Sequence, residues 1–332
     1  MKELQTIKKR YVEIDSMKGF AIFFVILGHA IILFPINLHE NDYCRWLFDF
    51  VSAVHVPLFF IVSGFCFSFK NGFKDFLKKK FFRIVLPYLI FNIFDIIPRV
   101  LLPSVVNHSK SLSESIIAIF LTGGGYWFLY TLFFVFLIYV PLFLMQRKNK
   151  VVQIIIECIL FVGAIVLSYY QLPTNVFLLN ELFYYLFFFN TGWLIKTHRN
   201  NIMDFRFKSN FLGVLVPLLL LAAWIAIITV KIIIGYSILP RVLTTLLAIV
   251  AVFFFTRFNW FNRIFMRFGA YSLQLYLFNG FLLVASRVII CKLTTNPALI
   301  ISFNMLIDFF LSYLFIKYLW SKVKFFRLIS GM

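Results

Sequence analysis

Acidic residues are scarce: 13 Asp and Glu stand against 32 Lys and Arg in 332 residues, and charged residues of both signs make up only 14% of the chain. With 62% of residues hydrophobic, no soluble domain of this size has a core large enough to hide them. Cysteine is nearly absent. Cys44, Cys66, Cys158 and Cys291 show no paired spacing, which implies neither a disulfide framework nor a metal site. There is no Ser/Pro-rich linker, no low-complexity tract and no internal repeat, so a single domain over 1–332 is expected. A Gly-rich nucleotide loop, HExxH, GxSxG and CxxC are all missing, and with them the chemistries those motifs serve.

What fills the chain is long apolar runs, with 47 phenylalanines among them. Runs of about twenty apolar residues read as transmembrane helices. They are continuous rather than alternating, which favours helices over a closed barrel. The expected fold is all-α and polytopic, with about ten spans near 17–35, 46–69, 82–104, 126–145, 151–170, 176–195, 211–233, 237–256, 268–290 and 298–320. The first run has no small-residue cleavage site and is read as a retained span, not a signal peptide.

The net charge of +19 raises nucleic acid as a partner, and the placement of the charges argues against it. With a cytoplasmic N-terminus, most basic residues fall on the inner side, clustered at 2–18, 70–83, 147–150, 196–208, 257–267 and 317–327. Arg45, Arg99, Lys110, Lys231, Arg241, Arg287 and Lys292 fall on the outer side. This is the positive-inside pattern, with both termini cytoplasmic and the bilayer as the partner of the apolar surface. Part of the basic excess also suits anionic lipid or a phosphorylated ligand.

Several polar residues interrupt the spans. Lys18 and His29 are eleven residues apart, so they share nearly one helix face about 16 Å apart along the axis. Asp15 lies about 40° from His29 on the same side. An ionisable side chain in a span is a functional candidate by default. A snorkelling lysine with a packed histidine accounts for the same residues structurally. His55 is a second intramembrane histidine, followed by Pro57, which is expected to kink its helix. Lys80 and Arg83, at i and i+3, share a face suited to phosphates, or simply set topology. Asp95 and Arg99 have ion-pair spacing. After Gly123, Gly124 and Gly125, Tyr126 and Trp127 are either interfacial aromatics or a platform beside a sugar or acyl group. Tyr276 and Asn279 enter the ninth span with Ser272 and Gln274, where interhelical hydrogen bonding explains them. Glu157, Glu181 and Asn190 have no partner legible in the sequence.

Taken together, residues 13–29 (EIDSMKGFAIFFVILGH), 55–64 (HVPLFFIVSG), 80–87 (KFFRIVLP), 126–129 (YWFL) and 269–279 (GAYSLQLYLFN) resemble the membrane-bound acyltransferase 3 family. They follow the family's order over most of the span layout. The Lys18–Gly19 pair and the short chain look closest to fucose 4-O-acetylase-like members. The resemblance implies an integral membrane enzyme with no bound cofactor. Such an enzyme takes an acyl group, usually acetyl, from cytoplasmic acyl-CoA and passes it to a hydroxyl of an envelope glycan or glycolipid. It implies catalytic roles for His29 and Lys18, donor binding by Lys80 and Arg83, and a substrate-side role for Trp127. His55 and Tyr126 are expected beside the acceptor, and Asp15, Tyr276 and Asn279 in support. Three positions depart from the family pattern. Lys18 is more often Arg, no glutamate follows Trp127, and Asn279 stands where many members have His, so position 279 is not carried over as catalytic.

The expected activity is O-acyl transfer in a bacterial plasma membrane, with neutral His29 as general base or as an acyl-carrying nucleophile. A transporter or flippase of a glycan or lipid intermediate is the alternative, although the paired halves of many transporters are not seen. A membrane scaffold for polysaccharide assembly is a third reading.

Overall fold

A computed structural model describes residues 11–33, 35–101, 111–173, 176–205, 207 and 209–332, with the side chains of 99–101 set aside. The Asp95–Arg99 pairing therefore lies outside the described residues. The described chain is helical, without strands. In order, the helices are α1 (Val12–Ile32), α2 (Asp42–Ser52), α3 (His55–Phe65), α4 (Gly72–Lys80), α5 (Leu86–Leu101), α6 (Leu112–Leu121), α7 (Trp127–Gln146) and α8 (Lys150–Tyr169). Then come α9 (Leu179–Thr197), α10 (Arg199–Met203), α11 (Asn210–Ile234), α12 (Arg241–Phe255), α13 (Asn259–Gly269), α14 (Ser272–Leu293), α15 (Pro297–Tyr318) and α16 (Lys324–Ile329).

Among the described residues, eight spans are long and apolar enough to cross a bilayer, or nine if α12 and α13, bent by 108°, count as one. The protein is thus a polytopic membrane protein. Each of the ten expected spans overlaps one helix or more. Those outside the eight are α9, whose length includes Glu181, Asn190 and Lys196, and α12, which has 15 residues.

Local chemistry explains the departures from the expected boundaries. The second span breaks at Ala53 and Val54 rather than bending at Pro57, which sits in the first turn of α3, where its missing N–H costs least. Residues 70–81, which separate the second and third expected spans, are mostly helical. Helix α4 runs through a five-residue π-helical segment, Phe81–Val85, into α5. The expected loop 105–125 contains α6. Ser111 and Glu114 close a capping box at its start, each side chain taking the other's backbone N–H.

Hydrophobic burial does not drive helices together in lipid, so close packing must. Helices α3 and α9 run parallel and touch through glycine. A Cβ on Gly64 would stand 1.9 Å from the Phe189 carbonyl oxygen, and one on Gly192 would stand 1.9 Å from that of Ile61. Helices α1 and α13 repeat the device, with Gly19 against Phe265 and Gly269 against Asp15. These approaches bring Cα–H groups onto carbonyl oxygens, each worth about 0.5–1 kcal/mol. Phenylalanines fill the space around the crossings, as where Phe67 meets Phe189 and Tyr139 edge-on. Asn190 accepts from the Tyr139 hydroxyl and the Gln146 amide, both at 3.0 Å, tying α9 to α7. Glu157 accepts from Gln153 one turn earlier on α8.

Candidate active site

A cavity of about 500 Å³ opens between α1, α3, α7, α14 and the π-helical segment. Lys18, Lys80 and Arg83 line its basic end, with Asp15 beside them. Lys18 Nζ is 3.4 Å from Asp15 Oδ1, and Lys80 Nζ lies 3.3 Å from the centre of the Phe136 ring. Arg83 is exposed. It also lines a second cavity of about 1100 Å³, shared with Lys78, Lys79 and the chain's last residues, Gly331 and Met332. The start of α1 and the last residues of the chain therefore border one groove.

At its other end the narrow cavity stops against three touching aromatic rings. Phe128 meets Phe59 at 5.6 Å and Tyr276 at 5.4 Å between ring centres. Tyr276 also meets Tyr126 edge-on at 5.8 Å, and the Tyr126 hydroxyl donates to the Leu277 carbonyl at 2.9 Å. Gly125 N–H donates to Asn92 Oδ1 at 3.0 Å, fixing the turn before Trp127 onto α5.

His29 is not a lining residue of that cavity. It lies one turn above Tyr276 in the direction of α14, because its Nδ1 is 2.9 Å from Oδ1 of Asn279. An amide oxygen only accepts, so neutral His29 donates its Nδ1–H and carries its lone pair on Nε2. His55 Nδ1 is 2.7 Å from the Val51 carbonyl, and its donated proton replaces a backbone donor at the break before α3. Both imidazoles are half-buried. The fold thus gathers Lys18, Lys80, Arg83 and Asp15 at one level and His29, Asn279, His55 and Trp127 at another. The ring layer of Phe59, Phe128 and Tyr276 lies between them.

Arg287 is the residue that charge counting misplaced. It is fully buried in α14 rather than facing an aqueous surface. Helix α1 ends at Ile32, three residues past His29, and its last carbonyls have no intrahelical donor. The Arg287 guanidinium takes them. Nη1 donates to the Ala30 carbonyl, and Nη2 donates to Ile31 at 3.2 Å and to Ile36. An arginine well inside an apolar run was the available signal. Arg287→Met strands these carbonyls, each at a cost of about 1–3 kcal/mol. It is expected to lower the unfolding temperature in detergent by several degrees, with Arg287→Lys falling between. An unchanged melting curve for Arg287→Met would remove this role.

A family model described as an acyltransferase domain matches residues 11–321. The chain belongs to the acyltransferase 3 family. No curated protein and no solved structure matches it. The protein is accordingly a multi-pass membrane acyltransferase. In this acyltransferase the three basic side chains line the cavity, and the His29–Asn279 pair lies outside it. Among the described residues, no group of three or more His, Cys, Asp or Glu side chains is placed to hold a metal ion.

Proposed function

We propose that the protein is an O-acyltransferase of a bacterial plasma membrane, of the fucose 4-O-acetylase-like type. It moves an acetyl group from cytoplasmic acetyl-CoA to a hydroxyl of an envelope glycan or glycolipid, with both termini cytoplasmic. The observation that carries the reading is the cavity with Lys18, Lys80 and Arg83 at one end and, beyond its aromatic end, the His29–Asn279 pair. The basic end suits the phosphates of CoA, with Arg83 able to bind bidentately. The narrow apolar part suits the pantetheine arm, whose thioester passes between Phe59, Phe128 and Tyr276 to reach His29.

In the reaction, His29 Nε2 takes the proton of the acceptor hydroxyl while that oxygen attacks the thioester carbonyl carbon. The carbon–sulfur bond breaks as the ester bond forms. The imidazolium then returns the proton to the CoA thiolate, leaving free thiol and neutral histidine. Asn279 keeps Nδ1 protonated, so that Nε2 is the nitrogen that takes up and returns the proton. His55, Trp127 and Tyr126 stand on the acceptor side.

The test uses vesicles with labelled acetyl-CoA supplied to one face and an envelope glycan acceptor. Label is expected to move to the glycan only when acetyl-CoA meets the basic face. Lys80→Gln and Arg83→Gln remove charge-assisted hydrogen bonds and are expected to raise KM for acetyl-CoA at least tenfold, with kcat little changed. Movement of glycan across the vesicle without acetyl-CoA consumption would replace this reading with transport.

A further inference from the structure

Away from the donor cavity, on the same side as His55, the helices α3, α7, α9 and α12 all begin. A compact group of polar and aromatic side chains sits there. Arg241, the first residue of α12, is exposed, and its guanidinium lies 4.7 Å from the centre of the Tyr184 ring. Its hydrogen bond to a protein group among the described residues is a long one, 3.4 Å from Nη2 to the Tyr185 hydroxyl. Tyr185 lies face to face with Phe60 at 4.5 Å, and Trp127 lies roughly parallel to it at 6.2 Å. Glu181 precedes Tyr185 by one turn on α9, close enough for its charge to reach both Tyr185 and Arg241. Among the described residues, Glu181 and Arg241 make no ion pair. Glu181 Oε2 is buried with no hydrogen-bond partner.

Glu181 and Arg241 both stand beside Tyr185 without closing on each other. A buried carboxylate oxygen without a donor is costly, and the exposed guanidinium has N–H groups to give beyond its long bond to Tyr185. A sugar hydroxyl satisfies both, donating to the carboxylate and accepting from the guanidinium. The half-buried Trp127 ring supplies the flat apolar surface against which a pyranose face rests.

We infer that Arg241, Glu181 and Tyr185, with Trp127, form the acceptor seat for a pyranose ring with vicinal hydroxyls. This inference rests on the acyltransfer reading above. Because Glu181 balances Arg241, the seat suits an uncharged sugar better than a uronic acid. Sequence counting placed Arg241 among outer topology-setting charges and left Glu181 without a role.

The test compares aryl glycosides of neutral hexoses with aryl hexuronosides as acceptors for purified protein in nanodiscs with acetyl-CoA. Wild type is expected to acylate the neutral glycosides with at least tenfold higher kcat/KM. Glu181→Gln and Arg241→Met are expected to raise KM for the neutral glycoside at least tenfold while KM for acetyl-CoA stays within twofold. Arg241→Lys is expected to recover part of the loss. A wild-type preference for hexuronosides, or unchanged acceptor KM in folded variants, would overturn the seat. Wild type that consumes acetyl-CoA but acylates no glycoside of the panel would also overturn it. If wild type neither binds nor consumes acetyl-CoA, the acyltransfer reading itself fails, and the seat with it.

Discussion

Replacing His29 by alanine is expected to lower acyl transfer by about 10²–10⁴-fold, the usual contribution of a positioned general base. The expected cause is chemical rather than structural. His29 is half-buried and makes one side-chain hydrogen bond, to Asn279. Acetyl-CoA binding at Lys18, Lys80 and Arg83 should therefore survive, since those groups lie beyond the Phe59, Phe128 and Tyr276 layer. The measurement is kcat with saturating acetyl-CoA, alongside the binding constant of CoA for the same preparation. Loss of kcat with CoA affinity kept within twofold is the expected pattern. Retention of more than a tenth of the wild-type kcat would end the assignment. Asn279→Leu tests the tautomer separately. It leaves Nδ1 without its acceptor, so it is expected to cost less than loss of the imidazole, about tenfold in kcat. An acyl group recovered on His29 in the absence of acceptor would select the nucleophilic course over the general-base course.

The second large effect concerns assembly. Gly64→Ala adds one methyl group, placed 1.9 Å from the Phe189 carbonyl oxygen. That oxygen is backbone, so no rotamer change relieves the clash, and α3 and α9 must separate along their whole contact. Overpacking of this kind costs about 1–3 kcal/mol where side chains can yield, and more where they cannot. The variant is expected to unfold well below wild type in a detergent thermal melt, and Gly192→Ala likewise. Gly163→Ala is the control, because a Cβ there meets nothing within 4 Å. It is expected to melt with wild type or slightly above it, given alanine's better helix propensity. If Gly64→Ala and Gly163→Ala melt together, the two helices do not touch as described. The separation would also carry His55 and Ser63 away from their neighbours, so activity is expected to fall with stability.

Most of the helices were legible because twenty apolar residues in a row have few other fates. The capping box at Ser111 and Glu114 was equally visible, yet it lay in a stretch read as loop and went unused. What could not be read was which helices are neighbours. Asn279 lies 250 residues from His29, and no local pattern couples them. The resemblance brought both positions forward without saying that they touch. Arg287 and Arg241 were hidden for another reason. Counting charges by side treats every arginine as surface, and only the folded chain separates one that caps a helix from one that faces a gap. The meeting of Lys18, Lys80 and Arg83 at one cavity depends on the π-helical turn at Phe81–Val85, whose extra residue resets the face that α4 presents.

The cap on α1 has a consequence for how the chain is made. Arg287 is costly in lipid, by about 2.5–3.5 kcal/mol near the centre of a lone helix. Its protein acceptors include the carbonyls at 30, 31 and 36, at the end of α1 and just after it, some 250 residues earlier in the chain. Until α14 emerges, α1 ends without a donor and His29 has no Asn279 beside it. An interrupted translation product that lacks α14 therefore holds a histidine with neither its tautomer nor its helix end fixed. Docking of α14 onto α1 fixes both at once, and competence arrives with it.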